Sequence, residues 1–113
     1  MIISKNIDTV EKYGSSVTIV HCNETIIYRK IDTEDEYNAL NREFCAIARA
    51  PQCYKIDEVL PASENAEKNK MQFVDTFSLM QNSGVTAKSV ECDPSNIKIT
   101  THIDFVIAKA LLK

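Results

Sequence analysis

The protein has 113 residues, of which 44% are hydrophobic and 26% are charged, as is typical of a globular domain. No apolar run approaches the roughly 20 residues that span a bilayer, and the N-terminus lacks the long apolar segment of a signal peptide. We therefore expect a single domain over residues 1–113 with a cytoplasmic location. The net charge of −3 argues against general nucleic-acid binding.

β-Branched side chains, which favour strands, dominate residues 17–31. Residues 1–14 fit an edge strand, with a short helix ending at Gly14 as the alternative. Residues 17–31 are predicted to form a β-hairpin with a tight turn at Asn23 and Glu24. One face of this hairpin would carry Val17, Ile19, His21, Ile26 and Tyr28.

The segment from Thr33 to Pro51 has the clearest helix pattern in the chain. Thr33 and Glu36 have the spacing of a capping box. Pro51 has no backbone N–H and disfavours helical geometry at Ala50, so it marks the end of the helix. The pattern therefore predicts a helix over about 34–50 that packs against the strands. Its apolar stripe would consist of Tyr37, Leu40, Phe44, Ile47 and Ala48.

The second half of the chain predicts further helix and strand. Residues 52–60 fit one or two helical turns that Pro61 ends. Ser63 is a suitable N-cap for a second long helix over about 64–82. Gly84 then fits a left-handed cap, with Val85 over Met80 as in a Schellman motif.

Residues 85–92 predict a strand, and residues 93–96 predict a type I turn. Two patterns overlap beyond the turn. Alternating apolar residues favour one strand as far as Ile107, whereas Thr101 and Asp104 have the spacing of a helix cap. We expect a strand to about residue 100 and a helix from about residue 103, with the single strand as the alternative.

Together these elements predict an α+β fold in one small domain. An antiparallel sheet of four to five strands would come from residues 1–31 and 85–100. Two or three helices would pack on one face of this sheet, because their apolar stripes need to be covered.

Acidic residues are concentrated in the middle of the chain, between slightly basic ends. Such a concentration can form a negative surface that attracts a basic groove on a partner. We therefore expect a small non-enzymatic protein-binding module, an inhibitor or accessory factor. Its partner would be a protein with a basic surface, such as a nucleic-acid-binding enzyme. The candidate binding residues are Asp32, Glu34, Asp35, Asp57 and Glu58.

The alternative is a thiol- or metal-dependent enzyme that uses Cys22, Cys92 and His102. No pair of the four cysteines has Cys-x-x-Cys spacing, which disfavours a zinc site. With glycine only at positions 14 and 84, neither a P-loop nor a dinucleotide-binding loop can be formed. We therefore predict no catalytic residues, no metal, no cofactor, no direct contact with nucleic acid and no membrane association.

Overall fold

The computed structural model describes all 113 residues, Met1–Lys113. The helices are α1 (Ile2–Tyr13), α2 (Ile56–Lys68), α3 (Thr76–Asn82) and α4 (His102–Leu111). The strands are β1 (Ser15–His21), β2 (Ile27–Arg29), β3 (Tyr37–Ala39), β4 (Ala46–Tyr54) and β5 (Lys88–Glu91), and a 3₁₀ turn covers Arg42–Phe44. None of the four helices has the length and apolar character needed to cross a membrane.

The main sheet has three strands in the order β4-β1-β5. β1 runs antiparallel to β4 and parallel to β5. β2 and β3 form a separate antiparallel ribbon whose residues are all exposed. The predicted antiparallel sheet of four to five strands is therefore wrong. The parallel pair joins strands that are far apart in sequence, and local patterns carry no signal for such a pairing.

The predicted edge strand at the N-terminus is also wrong, because residues 2–13 form α1. Gly14 ends this helix in a left-handed conformation, with φ of 96°. Its backbone N–H donates to the carbonyl oxygen of Val10 at 2.8 Å. The alternative of a helix ending at Gly14 is the one that the structure adopts.

The predicted hairpin over residues 17–31 does not form, although both of its strands exist. β1 lies between β4 and β5, so both of its edges are already paired. β2 therefore has no free edge of β1 to pair with, and it pairs with β3 instead.

The predicted helix over 34–50 is wrong, because this segment contains β3, the 3₁₀ turn and the start of β4. The Thr33 hydroxyl donates to the Lys30 carbonyl at 2.9 Å in a turn, so it caps no helix. Tyr37 and Phe44 are 50% and 86% exposed, so the apolar stripe gains no packing. Helices depend on such packing more than on intrinsic propensity. Pairing with β1 stabilises residues 46–54 as a strand instead.

The predicted helix over 64–82 is divided into two. α2 passes through Pro61 without ending there, which corrects the predicted stop. The helical conformation ends after Lys68, and Lys70 then adopts a left-handed conformation with φ of 55°. The predicted Schellman motif is confirmed: Gly84 has φ of 81°, and the Val85 N–H donates to the Met80 carbonyl at 3.0 Å.

The last turn and the last helix agree with the sequence pattern. The Asn96 N–H donates to the Asp93 carbonyl at 3.0 Å, as a β-turn requires. Thr101 caps α4 and forms a complete capping box with Asp104. The predicted strand over residues 97–100 is wrong, because these residues pair with no other strand.

Candidate functional site

β4 contains a two-residue bulge opposite β1. Thr18 of β1 pairs with Arg49, and the preceding residue of β1 pairs three positions further along β4. Residues 50–51 therefore have no partner in the ladder. Bulges of this kind change the direction of nearby side chains and are frequent beside active sites.

Two side chains hold the bulge from different parts of the chain. The Thr18 hydroxyl donates to the Pro51 carbonyl oxygen at 2.7 Å. The Asn96 side-chain amide donates to the Ala50 carbonyl oxygen at 2.7 Å. The Ala50 and Pro51 carbonyl groups lie outside the ladder, yet each accepts a hydrogen bond from a side chain, so the bulge is a well-defined feature of the strand.

A buried polar network connects α1 to the bulge. The side chains of Asn6, Ser16 and Thr18 are fully buried. The Asn6 amide nitrogen donates to the Thr18 hydroxyl at 2.9 Å and to the Ile2 carbonyl at 3.0 Å. Its amide oxygen accepts a hydrogen bond from the Ser16 hydroxyl at 2.6 Å. No sequence pattern indicates this network, because a single asparagine in an apparent strand gives no signal of burial.

A crevice of about 280 Å³ opens beside the bulge. Its walls come from β4, from the loop before α3 and from the segment that follows the turn at 93–96. The arrangement therefore joins three parts of the chain that are distant in sequence. Its polar lining residues are Arg49, Gln52, Asp75, Asn96 and Lys98.

Arg49 and Lys98 bring two positive charges to the crevice. The Arg49 guanidinium donates to the Asn96 carbonyl oxygen at 2.7 Å, which orients it. Neither cation forms an ion pair, since the only pair in the chain joins His21 to Glu91. Both charges are therefore available to an anion, and a guanidinium group suits the paired oxygens of a carboxylate or phosphate.

Asp75 adds one negative charge at the N-terminus of α3. Its carboxylate accepts a hydrogen bond from the Ser78 backbone N–H at 2.8 Å. This bond, together with the Ser78 hydroxyl and the Gln52 side chain, lowers the pKa of Asp75. The Gln52 side-chain oxygen also accepts from the Phe77 N–H at 2.9 Å, which joins α3 to β4. At neutral pH the crevice thus holds two positive charges and one negative charge.

The Tyr54 hydroxyl, at the end of β4, is buried and has no hydrogen-bond partner. Burial raises the pKa of Tyr54, and the negative charge of Asp75 adds to the increase. The phenol therefore keeps its proton at neutral pH.

A second depression, of about 450 Å³, lies between α2 and α3. Its charged lining residues are Glu67 and Asp75, and no base lines it. Two carboxylates repel an anion, so the crevice beside the bulge is the better anion site.

The five predicted binding residues lie outside the crevice. Asp32, Glu34 and Asp35 are exposed in the connection between β2 and β3. Asp57 and Glu58 are exposed in the first turn of α2. The binding role of these five residues, and a partner with a basic surface, stay predictions.

The residues of the predicted thiol or metal site do not form a cluster. No group of three or more His, Cys, Asp or Glu side chains is arranged to hold a metal ion. Cys22 is buried with its thiol near the Glu24 carbonyl at 3.2 Å. The Cys92 sulfur accepts from the Asn96 amide at 3.6 Å, and His102 begins the exposed helix α4.

A protein-family model described as IspD, 2-C-methyl-D-erythritol 4-phosphate cytidylyltransferase, matches residues 37–113. This chain belongs to the IspD family. The match runs from β3 to α4 and includes every residue that lines the crevice. The prediction of a non-enzymatic protein-binding module is therefore wrong. Acidic residues on a surface are common to many unrelated proteins, so their concentration in the middle of the chain does not identify the family.

Curated relatives of the IspD family support the assignment along almost the whole chain. A ribitol-5-phosphate cytidylyltransferase from Vibrio parahaemolyticus is 33% identical in an alignment 113 positions long, which covers 98% of this chain and 47% of that protein. A 2-C-methyl-D-erythritol 4-phosphate cytidylyltransferase from Clostridium acetobutylicum is 34% identical in an alignment 114 positions long, which covers 99% of this chain and 48% of that protein. The chain thus spans about half the length of these relatives.

Solved structures of IspD-family enzymes share the fold. The enzyme from Thermus thermophilus matches with a TM-score of 0.81 and 21% identity, over 97% of this chain and 53% of that one. The enzyme from Anaerococcus prevotii matches with a TM-score of 0.83 and 23% identity, over 97% and 51%. These neighbours have a Rossmann-like α/β fold, which replaces the predicted α+β class.

Proposed function

We propose that this chain forms part of a cytidylyltransferase that joins a cytidylyl group to the phosphate of a short polyol phosphate. The observation that carries the proposal is the IspD family match over residues 37–113. Two relatives of almost equal identity are named for different acceptors, 2-C-methyl-D-erythritol 4-phosphate and ribitol 5-phosphate. Both acceptors are phosphate monoesters of small polyols, so the shared chemistry defines the acceptor class.

The reaction is a substitution at phosphorus. A phosphate oxygen of the acceptor forms a bond to the α-phosphorus of an activated cytidine nucleotide. The bond from that phosphorus to the leaving phosphate group breaks, and the leaving group departs with the bonding electron pair. No oxidation or reduction takes place. Catalysis of such a transfer depends mainly on positioning and on stabilising the negative charge of several phosphate groups.

The crevice beside the bulge supplies positive charge for this task. Lys98 has no carboxylate partner, so its ammonium group is available to a phosphate oxygen. Arg49 is held by the Asn96 carbonyl, and this contact leaves further N–H donors of the guanidinium for a second oxygen. Asp75 remains ionised because its pKa is lowered, so phosphate is expected on the side of the two cations.

The test compares cytidylyl transfer by the protein and by Lys98→Ala, with ribitol 5-phosphate and 2-C-methyl-D-erythritol 4-phosphate as acceptors. Phosphorus NMR detects the new phosphorus–oxygen–phosphorus linkage. A hydrogen bond to a charged group is worth roughly 1.5–3 kcal/mol. We therefore expect kcat/KM to fall by about 10- to 150-fold, because each 1.4 kcal/mol is a tenfold change.

Lys88→Ala is the matched control, because Lys88 is an exposed lysine of β5 outside the crevice. Its kcat/KM should remain within about twofold of the unaltered protein, as expected for a surface substitution. The proposal is refuted if neither acceptor is cytidylylated, or if Lys98→Ala and Lys88→Ala have the same activity.

We also propose a cytoplasmic location, which cell fractionation tests.

A further inference from the structure

The segment that carries Lys98 has few contacts of its own. The backbone groups of Lys98 and Ile99 form no hydrogen bond with another backbone group, and both residues are exposed. The next residue with a partner is Thr100, whose N–H donates to the Asp104 carboxylate at 3.1 Å in the cap of α4. The place of the Lys98 ammonium group in the crevice therefore depends on the residues that precede it.

Asn96, two residues before Lys98, is bonded to two consecutive residues of β4. Its side-chain amide donates to the Ala50 carbonyl at 2.7 Å, and its backbone carbonyl accepts from the Arg49 guanidinium at 2.7 Å. No hydrogen bond between backbone groups joins residues 96–98 to β4. Two residues of extended chain span at most about 7 Å, so the backbone of Lys98 lies close to this link.

The link is fixed on both sides of the crevice. On the side of the sheet, the Thr18 hydroxyl donates to the Pro51 carbonyl at 2.7 Å and holds the bulge. On the opposite side, Asn96 is the last residue of the turn at 93–96, and its N–H donates to the Asp93 carbonyl at 3.0 Å. The position of the sheet is thus passed through the asparagine to the lysine that follows it.

We infer that Asn96 is a positioning residue for the proposed cytidylyl transfer, on which this inference rests. Its side-chain amide holds Lys98 at the separation from Arg49 that lets both cations bind oxygens of the same phosphate group or of two linked phosphate groups. Ammonium and guanidinium groups bind such oxygens at about 2.7–2.9 Å. In reactions that depend on positioning, a displacement of about 1 Å can lower the rate roughly 100-fold.

The amide acts through the lysine, because it has no free donor for a substrate. One of its two hydrogens is used by the Ala50 carbonyl, and the other points to the Cys92 sulfur at 3.6 Å. Its remaining polar atom is an acceptor oxygen, which does not bind a phosphate oxygen. Asn96 is therefore assigned to the placement of the cations and not to contact with the anion.

The test measures the affinity for inorganic pyrophosphate by isothermal titration calorimetry at low salt, where charge contacts are least screened. Asn96→Ala removes the amide but keeps both cations and the backbone carbonyl that orients Arg49. The dissociation constant should rise about 3- to 10-fold, the effect of one hydrogen bond between neutral groups. Asn96→Gln keeps an amide donor, so its dissociation constant should stay within about twofold of the unaltered protein.

A double-mutant cycle with Lys98→Ala shows whether Asn96 acts through the lysine. Lys98→Ala alone should weaken pyrophosphate binding by at least about tenfold. When Lys98 is absent, Asn96→Ala should add less than about a factor of two, whereas independent effects would multiply. A general loss of fold stability does not produce this dependence on Lys98. The same pattern should appear in kcat/KM for cytidylyl transfer.

Asn69→Ala is the matched control. The Asn69 amide also donates to a backbone carbonyl, that of Asn65 at 2.9 Å, but it lies at the end of α2 outside the crevice. This variant should bind pyrophosphate as the unaltered protein does. Circular dichroism checks the fold of each variant, and Asn96→Leu, which keeps the size of the side chain, takes the place of Asn96→Ala if the alanine variant is unfolded.

Four results overturn the inference: no pyrophosphate binding by the unaltered protein, equal affinity of Asn96→Ala and Asn69→Ala, equally weak binding by Asn96→Ala and Asn96→Gln, or effects that multiply in the cycle. The calorimetry needs no turnover. Dependence on Lys98 in a protein that transfers no cytidylyl group would refute the proposed function alone. An active protein in which the two effects multiply would refute the role of Asn96 alone.

Discussion

Replacing Thr18 with valine tests the link between α1, the central strand and the bulge. Thr18 is fully buried, and its hydroxyl accepts a hydrogen bond from Asn6 at 2.9 Å while donating to Pro51 at 2.7 Å. Valine keeps the shape but leaves the Pro51 carbonyl without its donor and removes one acceptor of Asn6. An unsatisfied buried polar group costs about 1–3 kcal/mol. For the two together we expect a loss of roughly 2–3 kcal/mol, because Asn6 keeps its bond to Ile2.

Native-state hydrogen exchange of the β1 amides measures this loss of stability in the strand that carries Thr18. A loss of 2–3 kcal/mol corresponds to exchange that is roughly 30- to 150-fold faster, at 1.4 kcal/mol for each factor of ten. Thr9→Val is the matched control, because the Thr9 hydroxyl bonds only to Lys5 within the exposed side of α1. Its effect should stay within about 0.5 kcal/mol. Equal exchange rates in the two variants would refute the argument that the network supports the sheet.

Three further predictions concern single side chains. Tyr54→Phe removes a buried hydroxyl that has no partner, so the free energy of unfolding should stay the same or rise by up to about 1 kcal/mol; a loss of more than that amount in chemical denaturation would show that the hydroxyl is bonded. Asp75→Ala removes the N-cap of α3 and should lower the stability of α3 by about 1 kcal/mol. Amide hydrogen exchange in α3 should then be about fivefold faster. Ser63→Ala, inside α2, is the control and should leave exchange in α3 unchanged. The backbone N–H of residue 100 and the capping box lower the pKa of Asp104. Because the pKa of Asp104 is lower in the folded protein than in the unfolded chain, the ionised carboxylate stabilises the fold above about pH 4. This stabilisation is lost as the pH falls through the folded pKa. An NMR titration of the Asp104 carboxyl with a midpoint at or above about 3.9 would contradict this.

Features that depend on a few neighbouring residues could be predicted from the sequence. The capping box at Thr101 and Asp104 and the cap at Gly84 are confirmed, because each is decided within a few neighbouring residues. The turn at 93–96 is confirmed for the same reason. Such motifs satisfy their hydrogen bonds locally, whatever the rest of the chain does.

Features that depend on distant partners could not be predicted. The segment 33–51 has a capping-box pattern and an apolar stripe, yet residues 46–49 pair with β1 and residues 37–39 pair with β2. The predicted helix would also lack a surface against which its apolar stripe could pack, because Phe44 of that stripe is 86% exposed. The crevice depends on Arg49, Asp75 and Lys98, which lie far apart in sequence, so no local motif announces it.

Because the bulge is two residues long, it shapes the crevice without changing the face of the sheet on which the other residues of β4 lie. Side chains of a strand alternate with a period of two, so an insert of two residues leaves the inward and outward order unchanged on both sides. A chain without Ala50 and Pro51 should therefore keep every remaining residue of β4 on its present face while closing the crevice. Loss of one of them alone would turn residues 46–49 over and expose the opposite set of side chains.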